Sequence, residues 1–351
     1  MIILVLNSGS SSIKYKLFDI SEDSETFLDK GIVERIGEKV PSHKDALSMI
    51  LSKMDKPIEA VGHRVVHGGD IFRESTIIDN EVIRAIESFN ELAPLHNPPS
   101  IFTINESRKV LKNVKHVAVF DTSFYQTMPE HVYLYAIPYE YYKKYKIRKY
   151  GFHGTSHRYV AIKASSMLNT SLDKLKLVTC HLGNGCSITA IKYGKAIDTS
   201  MGFTPLGGLI MGTRSGDLDP TIVSFIMEKE HLDIKEAIDI LNKKSGILGI
   251  SEISNDMREI IKKKDTDKRA KLTMDMFFYR IRKYIGAYIG IMGGVDGVVF
   301  TGGIGENQPD LMKDEFGDMV DDKNKILVIP TDEELMIAKD TYKIVKDQHQ
   351  N

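Results

Sequence analysis

The 351-residue chain has no tryptophan, two cysteines and almost no net charge, its 47 Lys and Arg balancing 48 Asp and Glu to −1. Two cysteines cannot build a multi-disulfide framework, and the spacing of Cys180 and Cys186 fits no zinc knuckle. Both sit beside apolar residues, so buried free thiols are expected. The charge balance excludes the basic excess of a nucleic-acid binder. The Lys-rich stretches 142–149 (YKKYKIRK) and 262–271 (KKKDTDKRAK) are short and expected to be solvated faces. Long hydrophobic runs are also missing. MIILVLNSG lacks the basic start of a signal peptide, and the longest uncharged apolar stretch, around 284–295 (YIGAYIGIMGGV), is glycine-rich and too short for a bilayer. The expectation is a cytoplasmic protein with neither a nucleic-acid nor a membrane partner.

The 42% hydrophobic and 27% charged content is that of an ordinary globular chain, and the length suits two domains. Residues 2–6 (IILVL) are β-rich, 13–19 (IKYKLFD) alternate apolar with polar, and NSGSSS between them is turn chemistry, which predicts a hairpin. The pattern recurs at 177–194 (LVTCHLGNGCSITAIKYG), so the spacing predicts a duplicated α/β domain. Further strands are expected at 59–66, 116–121, 295–301 and 326–329. Helices are expected at 81–92, 100–112, 218–228, 233–243, 267–290 and 332–346. Aromatic residues on most faces of 267–290 point to burial between layers or at an interface. The final helix is expected to pack back on the N-terminal domain.

The first turn is not a P-loop: Ile13 precedes Lys14 where that motif needs glycine, and a strand follows where it needs a helix. What remains is a hairpin of small residues whose backbone N–H and hydroxyl groups can approach an anion, with Lys14 pointing off the second strand. HLGNG (181–185) has the same chemistry. FTGGIGEN (300–307) follows a strand and lacks the dinucleotide spacing, yet its glycines admit close backbone approach. Three such loops in a duplicated frame suggest a nucleotide site. The irregular segment 198–220 (DTSMGFTPLGGLIMGTRSGDLDP) carries a single arginine, Arg214, among glycines and hydroxyls, which favours a functional cation over a surface salt bridge. HRVVH (63–67) and HGTSH (153–157) have i, i+4 histidines without the glutamate of a zinc motif, so hydrogen-bonded histidines are expected there.

These stretches, together with GHRVVHGG (62–69), APLHNPP (93–99), FDTSFYQTMP (120–129), YGFHGTSHRYV (150–160), DMR (256–258) and PTDEELMIA (330–338), resemble the acetate kinases in order and through most of the chain. The resemblance implies two ribonuclease H-like domains of the actin-like ATPase kind, each a mixed sheet flanked by helices, with an interdomain cleft. It implies one domain of 1–122 plus 334–351 and another of 123–333 holding the nucleotide site and a homodimer interface. The activity implied is reversible in-line phosphoryl transfer from ATP to acetate, giving acetyl phosphate and ADP, with Mg²⁺ (or Mn²⁺).

Carried over residue by residue, the resemblance makes Asn7 and Glu333 metal-site residues, and Asp121, His153 and Arg214 catalytic. Arg64 is implied to hold the substrate carboxylate. Val66, Leu95, Phe152 and Pro205 match the pocket for its methyl group, and His96 and His181 lie near the phosphoryl path. Nucleotide-binding positions are Ser10, Ser12, Lys14, His181, Leu182, Gly183, Asn184, Gly185, Asp256, Met257, Arg258, Gly303, Ile304, Gly305, Glu306 and Asn307. A carboxylate nucleophile is already ionised, so the barrier is electrostatic and no strong base is needed. Asp121 is therefore read as orienting Arg64 or the metal's water shell in preference to transferring a proton, with both roles left open. The chain is several tens of residues shorter than typical members, between the first hairpin and GHRVVHGG and between GGIGEN and VIPTDEEL. Propionate or butyrate kinase of the same family is the near alternative, and an ATPase clamp of the actin/Hsp70 superfamily the remote one.

Overall fold

The computed structural model describes residues 1–94 and 96–348. The chain divides into two compact units. One comprises Met1–Gln126, Gly154–Ser156 and the stretch from Asp332; the other comprises Thr127–His153 and His157–Thr331. The first boundary thus falls after 126, where the sequence placed it at 122, because Gln126 donates from its amide to the carbonyls of Gly69 (3.0 Å) and Thr122 (3.3 Å). Glu333 falls with the first unit, since the helix it opens packs on that unit's sheet.

The first unit holds β1 (Ile2–Ser8), β2 (Ser12–Ile20), β3 (Glu25–Glu34), β4 (Ala60–Val65), β5 (Thr76–Ile77) and β6 (Lys115–Phe120), in the order β3-β2-β1-β4-β6-β5. The continuous apolar run of β1 is buried on both faces. Leu4 and Leu6 pack with Ala46, Leu47 and Ile50 of the helix His43–Leu51, while Ile3 and Val5 pack with Ile337, Ala338 and Val345 of the helix Glu333–Gln348. β1 and β2 form the expected hairpin, in which Asn7 lies opposite Lys14. β4 and β6 continue the sheet in parallel.

In the second unit β7 (Lys176–Leu182), β8 (Cys186–Lys192), β9 (Lys195–Thr199), β10 (Gly297–Thr301) and β11 (Ile326–Val328) run β11-β10-β7-β8-β9. Again an antiparallel hairpin is flanked by a third antiparallel strand on one side and two parallel strands on the other. The wiring repeats that of the first sheet, as a duplicated domain requires.

The helix Lys268–Met292, capped by Asp267 and ended by Gly293 at φ 70°, buries Phe277, Phe278, Ile281, Ile285 and Tyr288. Its other face exposes Leu272, Met276 and Tyr279. The expected helix at 81–92 is shorter, Asn80–Glu87, followed by turns. FTGGIGEN is the end of β10 and a short helix, Gly302–Glu306, where a loop was expected. Arg148, placed by sequence on a solvated face, is buried, its guanidinium 3.7 Å from the Tyr133 ring centroid. Cys180 and Cys186 are buried free thiols. Among the described residues no helix is long and apolar enough to cross a membrane.

Candidate active site

In the first unit three residues far apart in sequence meet at one guanidinium. Arg64, near the end of β4, donates from Nη2 to Asp121 Oδ2 at 2.8 Å and from Nε to the same oxygen at 3.1 Å. Its Nη1 lies 3.2 Å from Glu333 Oε2. Asp121, directly after β6 and 1% exposed, also accepts from Thr155 Oγ1 at 3.1 Å. The chain passes close here: a Cβ on Gly154 would lie 2.1 Å from the Asp121 carbonyl oxygen, so only glycine fits. Burial would lower the Arg64 pKa, but Asp121 and Glu333 outweigh it and raise the value. Burial pushes Glu333 up to about 7, with Asp121 adding to the rise and Arg64 and Lys14 opposing it. Lys16 fixes the start of the Glu333 helix, its Nζ 2.8 Å from Asp332 and 3.2 Å from Glu334.

Asn7 and Lys14 face each other across the first hairpin, and Lys14 and Ser10 are exposed while Asn7 and Ser12 are half-buried. Val66 is half-buried just past β4, and His96 caps the helix Asn97–Val110. Leu95 lies outside the described residues.

The second unit gathers a different set. His153 sits at the N-cap of the helix Gly154–Met167 with φ 59°, a conformation a non-glycine residue holds only when its surroundings impose it. Its ring stacks on His181, centroids 4.3 Å apart at 23°. His153 Nδ1 lies 2.8 Å from Ser187 Oγ. Ser187 Oγ is also 2.8 Å from His157 Nε2, and His157 Nδ1 is 2.7 Å from Thr179 Oγ1. A Cβ built on Gly185 would lie 3.4 Å from His153 Nε2 and 3.7 Å from Arg214 Nη1, so the missing side chain leaves a space that both groups face. Arg214 donates to the Pro205 carbonyl at 3.3 Å and has no carboxylate partner among the described residues; burial lowers its pKa. Phe152, beside His153, is buried, and Pro205 is half-buried.

Next to these residues is a cavity of ≈ 430 Å³. The turn after β7 contributes Gly183 and Asn184, the segment before and at the helix Met257–Lys263 contributes Asp256, Met257 and Arg258, and the short helix Gly302–Glu306 with its C-cap contributes Gly303, Ile304 and Asn307. HLGNG and FTGGIGEN, two of the three glycine-rich stretches singled out in the sequence, therefore line one cavity with the DMR stretch that the resemblance implied, joined by Asn255, Ile261 and Gln308; the first hairpin contributes none of its lining residues. Leu182 and Gly305, next in sequence to lining residues, are buried. Thr301 Oγ1 and Glu306 Oε2, on either side of Gly303 and Ile304 in sequence, are buried with no hydrogen-bond partner among the described residues.

Residues 2–322 match the acetokinase family. The chain is 49% identical over 399 residues to the acetate kinase of Halothermothrix orenii, covering 99% of this chain and 100% of that one. The chain belongs to the acetokinase family. Among solved structures, acetate kinase from Porphyromonas gingivalis is 44% identical with a TM-score of 0.92, covering 98% of this chain and 99% of that one. Propionate kinase from Francisella tularensis subsp. tularensis SCHU S4 is 40% identical with a TM-score of 0.91 and the same coverage. The alignment of 399 residues against a chain of 351 means that the H. orenii acetokinase carries segments this member lacks.

The sequence did not single out Thr155, Thr179, His157, Ser187 or Lys16 as site residues. An isolated hydroxyl carries no local signal. His157 alone had one, as the partner of His153 at i, i+4.

Proposed function

We infer that the chain catalyses reversible phosphoryl transfer between ATP and acetate, forming acetyl phosphate and ADP. The observation that carries the reading is the glycine-lined cavity beside a half-buried arginine, Arg214, that has no carboxylate partner among the described residues, in a member of this family. Burying a cation without a carboxylate is costly unless an anion completes it. Arg214 and His153 are the groups that would meet the transferring phosphoryl group, with His181 fixing the His153 ring by stacking and His96 near the same path. The stretches at 182–185, 256–258 and 303–307 would hold the nucleotide, with Ser10, Ser12 and Lys14 supporting its phosphates.

Arg64 would take the acetate carboxylate with the N–H donors that Asp121 and Glu333 leave free. Asp121, buried and engaged with Arg64 and Thr155, orients the guanidinium; an ionised acetate needs no base. Val66, Leu95, Phe152 and Pro205 would receive the methyl group.

The divalent ion is Mg²⁺ in this reading, with Mn²⁺ as a substitute. Asn7 and Glu333 fit it: both offer oxygen, and the charge of a carboxylate as buried as Glu333 is favoured by a nearby cation. Mg²⁺ keeps most of its water and needs few protein ligands, and no cluster of three acidic, His or Cys ligands occurs among the described residues. When bound, the ion offsets phosphate charge. The exposed Leu272, Met276 and Tyr279 support a homodimer built on the helix Lys268–Met292, and the protein is read as cytoplasmic.

Acetyl hydroxamate formation from acetate, ATP and hydroxylamine tests the reading; its absence with ATPase activity intact would favour the clamp. The propionate kinase neighbour supports a second reading, but one methylene discriminates by only about 1–3 kcal/mol. Ranking kcat/KM for acetate, propionate and butyrate decides it.

A further inference from the structure

We propose that Thr179, His157 and Ser187 form a one-directional hydrogen-bond relay that fixes His153 as the tautomer protonated on Nε2, making Ser187 a positioning residue for phosphoryl transfer. The proposal rests on the phosphoryl-facing role given above to His153. Thr179 and His157 are fully buried, and so is Ser187.

The direction follows from counting protons. Thr179 Oγ1 has a single side-chain hydrogen bond among the described residues, to His157 Nδ1 at 2.7 Å. A buried hydroxyl with one partner donates, since an unmatched O–H is costlier than an unmatched lone pair. His157 Nδ1 therefore accepts. Burial and the neighbouring His181 hold the His157 pKa well below its ordinary value, so its ring is neutral and carries its proton on Nε2. That N–H donates to Ser187 Oγ at 2.8 Å. Ser187, with one proton and that acceptor site filled, donates to His153 Nδ1 at 2.8 Å. A neutral His153 ring then has its proton on Nε2, the nitrogen that faces the space beside Gly185 with Arg214 Nη1.

The consequence is chemical. An Nε2–H presents a donor to an anionic phosphoryl oxygen without requiring a cationic ring, and Arg214 supplies the charge. The opposite polarity of the relay would turn a lone pair of a neutral ring toward that oxygen. The strained φ of 59° and the stack on His181 hold the ring where the relay aims it.

Selective ¹⁵N-histidine labelling of the full chain reads the tautomer directly: the expected spectrum places the His153 proton on Nε2, and a proton on Nδ1 would overturn the relay. Ser187→Ala should lower kcat about 10–100-fold, by analogy with the loss of a group that orients a metal-ligating histidine, with KM for acetate and ATP little changed. Thr179→Val keeps the shape while removing the donor at the origin; it should mix the His153 tautomers and lower kcat by a smaller factor. Ser187→Thr, which restores the hydroxyl, should recover most of the Ser187→Ala loss. Should Ser187→Ala fail to fold, the wild-type spectrum and Thr179→Val carry the test. Unchanged kcat and tautomer in the folded variants would overturn the relay. Full kcat in His153→Ala would instead overturn the role of His153 on which it rests.

Discussion

The same five-strand wiring occurs twice, as β3-β2-β1-β4-β6 and as β9-β8-β7-β10-β11, yet the two copies are finished with opposite electrostatics. In the first, the functional arginine sits between two carboxylates, Asp121 and Glu333, and its charge is matched. In the second, Arg214 has no carboxylate partner among the described residues, and its neighbours are histidines tied to hydroxyls and glycines that leave room. The backbone therefore supplies hairpins and turns, and the choice of side chains beside them decides what each copy can receive. A compensated arginine can orient a carboxylate substrate without accumulating positive charge; an uncompensated one waits for an anion.

Removing the uncompensated charge should have the largest effect. Arg214→Ala is expected to lower kcat by roughly 10³-fold or more, by analogy with the loss of an arginine finger. Steady-state kinetics on the purified variant check it, and a near-wild-type kcat would remove Arg214 from the phosphoryl path. Arg64→Ala should instead appear mainly as a raised acetate KM, and that contrast tests whether the two arginines differ as their surroundings do.

The compensated arginine can be unbalanced from its other side. Asp121→Asn leaves Arg64 with Glu333 alone and removes the charge that Thr155 also serves. Breaking a buried pair from one side costs about 3–5 kcal/mol, and the remaining Glu333 contact places the expected loss near the lower end. Urea unfolding of the variant measures it. A stability within error of wild type would mean that the Asp121 carboxylate does not hold Arg64.

Much of this frame is legible along the chain because it is local. The alternation in 13–19 and the small-residue turns at NSGSSS and HLGNG specify both hairpins, and the final helix is marked by its periodicity. The edge strand β3 is not legible: most of its residues are exposed, so no alternation betrays it. The helix Gly154–Met167 is hidden by the polar run GTSH at its start. In the site, Arg64, Asp121 and Glu333 stand out through family resemblance, but their meeting at one guanidinium comes from the pairing of β4 with β6 and from the packing of the helix Glu333–Gln348 on that sheet. Ser187 and Thr179 carry no signal at all, since a hydroxyl gains its role only from the ring that the neighbouring strand or helix places beside it.

Histidine pairs make the third contrast. In the second copy a hydroxyl separates the rings of His153 and His157; in the first, His63 Nε2 contacts His116 Nδ1 directly at 3.0 Å. Burial lowers both pKa values, that of His116 to about 4, with the charge of Arg108 adding to the depression in both. The unfolded chain binds these protons near pH 6.5, so the folded state holds fewer of them below that pH. Stability is complete above 6.5 and falls as pH drops toward 4. For His116 alone the loss at pH 5 is about 2 kcal/mol. His116→Gln should flatten the fall in urea midpoint between pH 7 and pH 5, and an unchanged slope would show that the pair is not the group titrating.

The mildest test compares the two turns themselves. An added Cβ on Gly185 would sit 3.3 Å from His153 Cε1 and 3.7 Å from Arg214 Nη1, so the ring must yield by a few tenths of an ångström. On Gly9, in the matching turn, it would meet only Ser12, at 3.4 Å from Oγ, which is ordinary contact. Gly185→Ala should therefore lower kcat about tenfold, a fraction of what a full 1 Å misplacement costs, while Gly9→Ala should change it by less than about twofold. Equal effects at both positions would mean that the space beside Gly185 is no more demanding than that beside Gly9. The division of labour between the copies would then have to come from the charges alone.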